Sequence, residues 1–114
     1  MNIKDSNITI MVEDIDKSVA FYESIGFTTK NRWGNNYAQL AAPGVTIGLH
    51  PVEKSTAKGS GNTSIGFTTD NFEDAITMLS KHSIKAEPRS EEGGQFLHFT
   101  DPDGTQLYFI KPKW

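Results

Sequence analysis

Phe96-Leu97-His98-Phe99-Thr100-Asp101-Pro102-Asp103-Gly104-Thr105-Gln106-Leu107-Tyr108-Phe109-Ile110 is two alternating runs with a turn between them. In the turn, Pro102 presets φ at about −65°, the Asp side chains are placed to accept from nearby amides, and Gly104 tolerates φ > 0. The stretch therefore reads as a β-hairpin. Alternation also sets side-chain direction. If Leu97, Phe99, Leu107 and Phe109 face a packed layer, then Phe96, His98, Gln106, Tyr108 and Ile110 face the other way. That second face mixes polar and aromatic groups, which suits a ligand cavity better than a core.

Upstream of this hairpin, Ser64–Thr69 alternates as a strand, Asn71 stands at an N-cap position, and Phe72, Ala75, Ile76 and Leu79 form a helical stripe. Strands are expected at 84–88, 95–100 and 105–110. The first half repeats this order. Residues 7–12 alternate, Asp14 is the cap, Ile15, Val19, Tyr22 and Ile25 form the stripe, and Gly26 ends the helix in a left-handed conformation. Strands are expected at 27–33, 36–41 and 45–50, with Gly34-Asn35 and Pro43-Gly44 turning the chain between them. An offset of 57 relates Asn7 to Ser64 and Asp14 to Asn71, and it grows to 60 between Gly48 and Tyr108. The fold expected is α+β: two βαβββ units in one domain, 1–114, with units at 1–52 and 63–114 and a polar, glycine-rich linker at 53–62. The packed face should hold Ile8, Ile10, Ile47, Leu49, Ile65 and Phe67 besides the hairpin residues. Ser83 stands where the repeat calls for a second left-handed glycine, a substitution costing on the order of 1 kcal/mol.

Composition narrows the function. The chain has 114 residues, enough for a single core, and 36% hydrophobic and 22% charged residues are ordinary for a soluble globule. No apolar run approaches the ~20 residues of a membrane span, and Met1–Asp5 has no apolar signal region, so a cytoplasmic protein is expected. The absence of cysteine removes disulfides, thiolate metal sites and cysteine nucleophiles together. A net charge of −3 without a Lys/Arg stripe argues against nucleic acid as a partner. There is no phosphate-binding glycine loop, no nucleophile elbow and no carboxylate pair on the polar face. Asp101 and Asp103 are explained by the turn.

The repeat, the helix start Val12-Glu-Asp-Ile-Asp-Lys-Ser-Val-Ala-Phe-Tyr22 leading to Ile25-Gly-Phe27, and the Phe99-x-Asp-Pro-Asp-Gly104 motif together resemble the vicinal oxygen chelate superfamily. That superfamily includes glyoxalase I, extradiol dioxygenases, fosfomycin-resistance enzymes and bleomycin-resistance proteins. The resemblance covers residues 6–112. It implies sheets rolled into a cup with helices on the convex side, and a homodimer as in many of those relatives. It also implies metal positions at Asn7, Gly48, Ser64 and Tyr108, where metal-dependent members carry His, Gln or Glu. None of the four is a good ligand for a divalent ion, which needs imidazole or carboxylate donors. No cofactor is therefore expected.

The cup-facing groups expected to touch a ligand are Asn7, Thr9, Trp33, Tyr37, Gln39, Ser64, Phe96, His98, Gln106 and Tyr108. Flat apolar faces among a few hydrogen-bonding groups describe a pocket for a small organic, partly aromatic molecule. His50 reads as a solvated strand-end residue and His82 as a helix-terminal one whose charge suits the dipole. The resemblance thus implies a metal-free binder of the bleomycin-resistance type. The alternative is an enzyme of the same fold, a glyoxalase-like lyase or isomerase with a rearranged metal site.

Overall fold

A computed structural model describes residues 2–53 and 59–113. Ten elements follow in order: β1 (Ile8–Val12), α1 (Ile15–Ser24), β2 (Thr28–Trp33), β3 (Tyr37–Ala42), β4 (Val45–Pro51), β5 (Ser64–Thr68), α2 (Phe72–Lys81), β6 (Glu87–Glu91), β7 (Gly94–Thr100) and β8 (Gln106–Pro112). The chain divides into two compact units, Met1–Lys58 and Gly59–Trp114. Each is βαβββ with one four-stranded sheet, ordered β1-β4-β3-β2 in unit 1 and β5-β8-β7-β6 in unit 2. The first strand pairs parallel to the last, and the other pairs are antiparallel. The α+β duplication expected from the sequence is the observed fold.

The registers of the two sheets correspond. Thr9 pairs with Gly48 in unit 1 as Gly66 pairs with Tyr108 in unit 2. Offsets of 57 on the first strand and 60 on the last are therefore those read from the repeat. Both helices begin alike: Asp14 accepts from the Lys17 amide at 3.2 Å, and Asn71 from the Asp74 amide at 3.0 Å. They also end alike, in a Schellman motif. Gly26 N–H donates to Glu23 O and Phe27 N–H to Tyr22 O; Ser83 N–H donates to Ser80 O and Ile84 N–H to Leu79 O. Ser83 has φ 58°, so serine does hold the left-handed position.

The core of each unit lies between helix and sheet. Ile15, Val19, Tyr22 and Ile25 of the first stripe are buried against Leu40, Ile47 and Leu49, with Tyr22 fully enclosed. Phe72, Ala75 and Leu79 are buried in unit 2, as are Leu97, Phe99, Leu107 and Phe109 of the hairpin. At roughly 1.5–3 kcal/mol for each large apolar side chain, these burials fix which sheet face is inside. The turn between β7 and β8 rests on Asp101, a buried carboxylate whose Oδ1 accepts from Asp103 N at 2.9 Å and Thr105 N at 2.8 Å.

Three expectations need correction. Ile8 is not core: it is 43% exposed, because β1 is an edge strand and α1 packs over β2, β3 and β4. The strand expected at 84–88 runs Glu87–Glu91 instead. Ile84 is spent on the helix cap, where an apolar residue after the left-handed position is customary, so it does not start the strand. Ile110, expected on the open face, is buried. Of the linker expected at 53–62, residues 54–58 lie outside the described residues. Ser60 is fixed in unit 2, its Oγ donating to Thr63 O and accepting from Gln106 N at 3.0 Å.

Candidate functional site

The sheet face opposite α1 carries the row Thr9, Gly48, Gln39 and Asn31, aligned by register. A bulge at Lys30 brings Asn31 and Trp33 onto the face of Gln39 and Tyr37. Its polar groups are mostly spent on one another. Asn7 Nδ2 lies 3.4 Å from both Thr9 Oγ1 and Tyr37 Oη, and Asn31 Nδ2 donates to Gln39 Oε1 at 3.1 Å. Trp33, 54% exposed, lies beside Tyr37 with ring centroids 5.7 Å apart. Arg32, pointing the other way, holds this hairpin: Nε donates to Gly34 O at 2.9 Å, and Nη2 to Asn35 Oδ1 at 3.1 Å and to Asp16 of α1.

Unit 2 presents the corresponding row Gly66, Tyr108, His98 and Glu87. Its chemistry differs. Phe96 and His98 stack in parallel with centroids 5.8 Å apart, and Tyr108 leans on both at 5.7 and 5.9 Å. His98 Nε2 is shielded from solvent and makes no hydrogen bond among the described residues, while Glu91 Oε1 lies 4.0 Å away. A groove of roughly 710 Å3 runs along this side, lined by Lys85, Glu87, Arg89, His98, Thr100 and Gln106 among others.

The ten residues singled out from the sequence therefore fall into two groups. Asn7, Thr9, Trp33, Tyr37 and Gln39 share one face of unit 1. Phe96, His98, Gln106 and Tyr108 share one face of unit 2, with Ser64 in register opposite Gln106. Lys85, Glu87, Arg89 and Thr100 were missed. Charged residues at every second position from Lys85 to Glu91 carry the signal, once the strand is started at Glu87. His50 is an exposed residue at the end of β4, and His82 caps α2 at the surface.

The four positions at which the resemblance leads one to expect a metal, Asn7, Gly48, Ser64 and Tyr108, are filled in a particular way. A Cβ at Gly48 would collide with the Tyr37 hydroxyl, so the tyrosine ring occupies the space a ligand side chain would need. In unit 2, Tyr108 supplies the ring and Gly66 the space beneath it. Asn7 is turned to the Tyr37 hydroxyl, and Ser64 offers only an alcohol. Among the described residues no three His, Asp or Glu side chains cluster at ligating distance. This donor set does not fit a resident divalent metal.

Comparison with known proteins agrees with the architecture. The family model for the Glyoxalase/Bleomycin resistance protein/Dioxygenase superfamily matches residues 6–109. The metallothiol transferase FosB of Lysinibacillus sphaericus is 29% identical over 112 residues, spanning 91% of this chain and 79% of that protein. Among solved structures, the fosfomycin-resistance protein FosX of Listeria monocytogenes superimposes with a TM-score of 0.81 at 18% identity, covering 99% of this chain and 96% of its own. A bleomycin-binding protein complexed with bleomycin gives 0.72 at 20% identity, covering 97% and 100%. At these identities the structural likeness establishes the fold, and the site must be argued from its own residues.

Proposed function

We propose, for a chain that belongs to the Glyoxalase/Bleomycin resistance protein/Dioxygenase superfamily, a function of capture rather than turnover: metal-free binding of a small, partly aromatic organic molecule. The observation that carries this reading is the Phe96–His98–Tyr108 stack beside an open groove, with a shielded imidazole nitrogen left to a ligand. Rings give area for stacking and the imidazole gives orientation, which is what stoichiometric capture needs. Bleomycin-binding relatives of the same fold make sequestration a reasonable precedent. A cytoplasmic homodimer completes the proposal, and sedimentation of the purified protein tests the dimer.

A second reading is favoured by the likeness to a metallothiol transferase: a metal-dependent enzyme, or a glyoxalase-like lyase or isomerase with a rearranged site. The side chains at Asn7, Gly48, Ser64 and Tyr108 weigh against it, since none replaces an imidazole or carboxylate donor. The test is a thermal-shift screen of metabolites and antibiotics on protein purified without a histidine tag, with metal content measured in the same sample. Capture predicts substoichiometric metal and a hit whose affinity falls by roughly 1–3 kcal/mol in Tyr108→Ala. Stoichiometric metal, or turnover of a 2-oxoaldehyde–thiol adduct abolished by His98→Ala, would establish the enzyme instead.

A further inference from the structure

We infer that the molecule held on unit 2 is a planar carboxylate, its ring against His98, the one member of the Phe96–His98–Tyr108 stack that lines the groove, and its anionic group met by Lys85 and Arg89; the inference rests on the binding reading above. The groove lining brings two cations, Lys85 and Arg89, against one carboxylate, Glu87. Glu87 is already engaged. Its Oε2 lies 3.3 Å from Arg89 Nη2, with both side chains well exposed. Such a pair is weak and easily rearranged. It uses one of the five guanidinium N–H donors, leaving Arg89 able to grip a second carboxylate. Lys85 makes no ion pair among the described residues. The Thr100 hydroxyl and Gln106 carboxamide line the same groove and make no hydrogen bonds among those residues either.

The count of donors against acceptors decides the sign of the ligand. Around the groove stand two donor-only groups, the Lys85 ammonium and most of the Arg89 guanidinium, with an amide and a hydroxyl that can donate or accept, while Glu91, outside the lining, lies 4.0 Å from His98 Nε2. The one carboxylate of the lining is spent on Arg89. An anion would find an unpaired ammonium and the remaining guanidinium donors, whereas a cation would meet those same two positive charges at close range. Unit 1 provides the contrast, since Asn7, Thr9, Asn31, Tyr37 and Gln39 bond to each other and Trp33 stands at the position of Arg89.

The test compares 2-naphthoate with 2-naphthamide, which share a ring system and differ in charge, by amide chemical-shift titration of the full chain. Naphthoate should bind about tenfold more tightly, as expected of charge-assisted hydrogen bonds, with shifts centred on β6, β7 and β8. The preference should collapse in Lys85→Gln/Arg89→Gln and weaken with added salt in the parent. The same shift spectra report whether the double variant is folded, and the salt titration of the parent stands if it is not. Equal binding of the two compounds overturns the charge assignment and leaves the capture reading intact. A preference that survives both the double variant and added salt, tighter binding of 2-naphthylmethylammonium, or inorganic phosphate binding as tightly as naphthoate also overturns it. Failure of every ring compound to bind removes the capture reading as well.

Discussion

Unit 1 and unit 2 share strand order, register, helix caps and helix ends, yet at equivalent positions their open faces carry opposite chemistry. Where unit 1 has Gln39 bonded to Asn31, unit 2 has His98 opposite Glu87, its Nε2 making no hydrogen bond among the described residues. Where unit 1 has Trp33 paired with Tyr37, unit 2 has Arg89 paired with Phe96. The packed face has kept its character through the duplication, because large apolar side chains there decide whether the unit folds. The open face was free to diverge, and it became self-satisfied in one unit and aromatic with charged neighbours in the other. One element is conserved in changed form: each unit has a glycine beneath a tyrosine ring, but the strands that supply them differ.

The comparison is broken most severely at the hairpin turn. Asp101→Ala removes a buried acceptor of two amides in unit 2; the β3–β4 turn of unit 1 has Pro43-Gly44 instead. A loss of about 2–4 kcal/mol is expected in urea unfolding, and a loss below about 1 kcal/mol would show that the turn holds without the carboxylate. Next come Gly48→Ala and Gly66→Ala. Each drives a methyl into a tyrosine ring and should cost about 1–3 kcal/mol. Tyrosine ring resonances should shift in the mutated unit and stay in the other. Third, Asp14→Ala and Asn71→Ala should cost the same within error, about 1 kcal/mol each, since their cap geometries match. Unequal losses would mean that the units are less alike energetically than geometrically. The smallest effect is Ser83→Gly, a gain of a few tenths to about 1 kcal/mol from relieving a left-handed serine, read from the shift in thermal midpoint. A destabilised Ser83→Gly would show that the hydroxyl contributes more than the backbone strain removes.

Much of the fold was legible because it is written in local chemistry. Asp14, Asn71, Gly26 and Ser83 act within a few residues of themselves, and the hairpin turn at Asp101–Gly104 does too. The start of β6 was illegible because Ile84 is apolar for a reason other than strand burial. That three-residue error hid Lys85, Glu87 and Arg89 from the candidate site. Ile8 was misjudged because alternation gives the direction of a side chain and not the extent of the helix above it. The residues of the open faces could be named from alternation, but the tyrosine–glycine pairs could not. Those depend on which strands lie side by side, and Tyr37 and Gly48 belong to different strands.

The tyrosine–glycine pair has a consequence for how this scaffold can change. Placing a larger side chain at Gly48 requires the Tyr37 ring to swing aside or be lost, since the two volumes exclude each other. Gly66 is bound in the same way to Tyr108. Single substitutions at the glycines should therefore be less well tolerated in the present background than after the aromatic partner has moved or been lost. The order of mutations is constrained: a bulky side chain at either glycine is accommodated most readily after a change that has already moved or removed the ring above it.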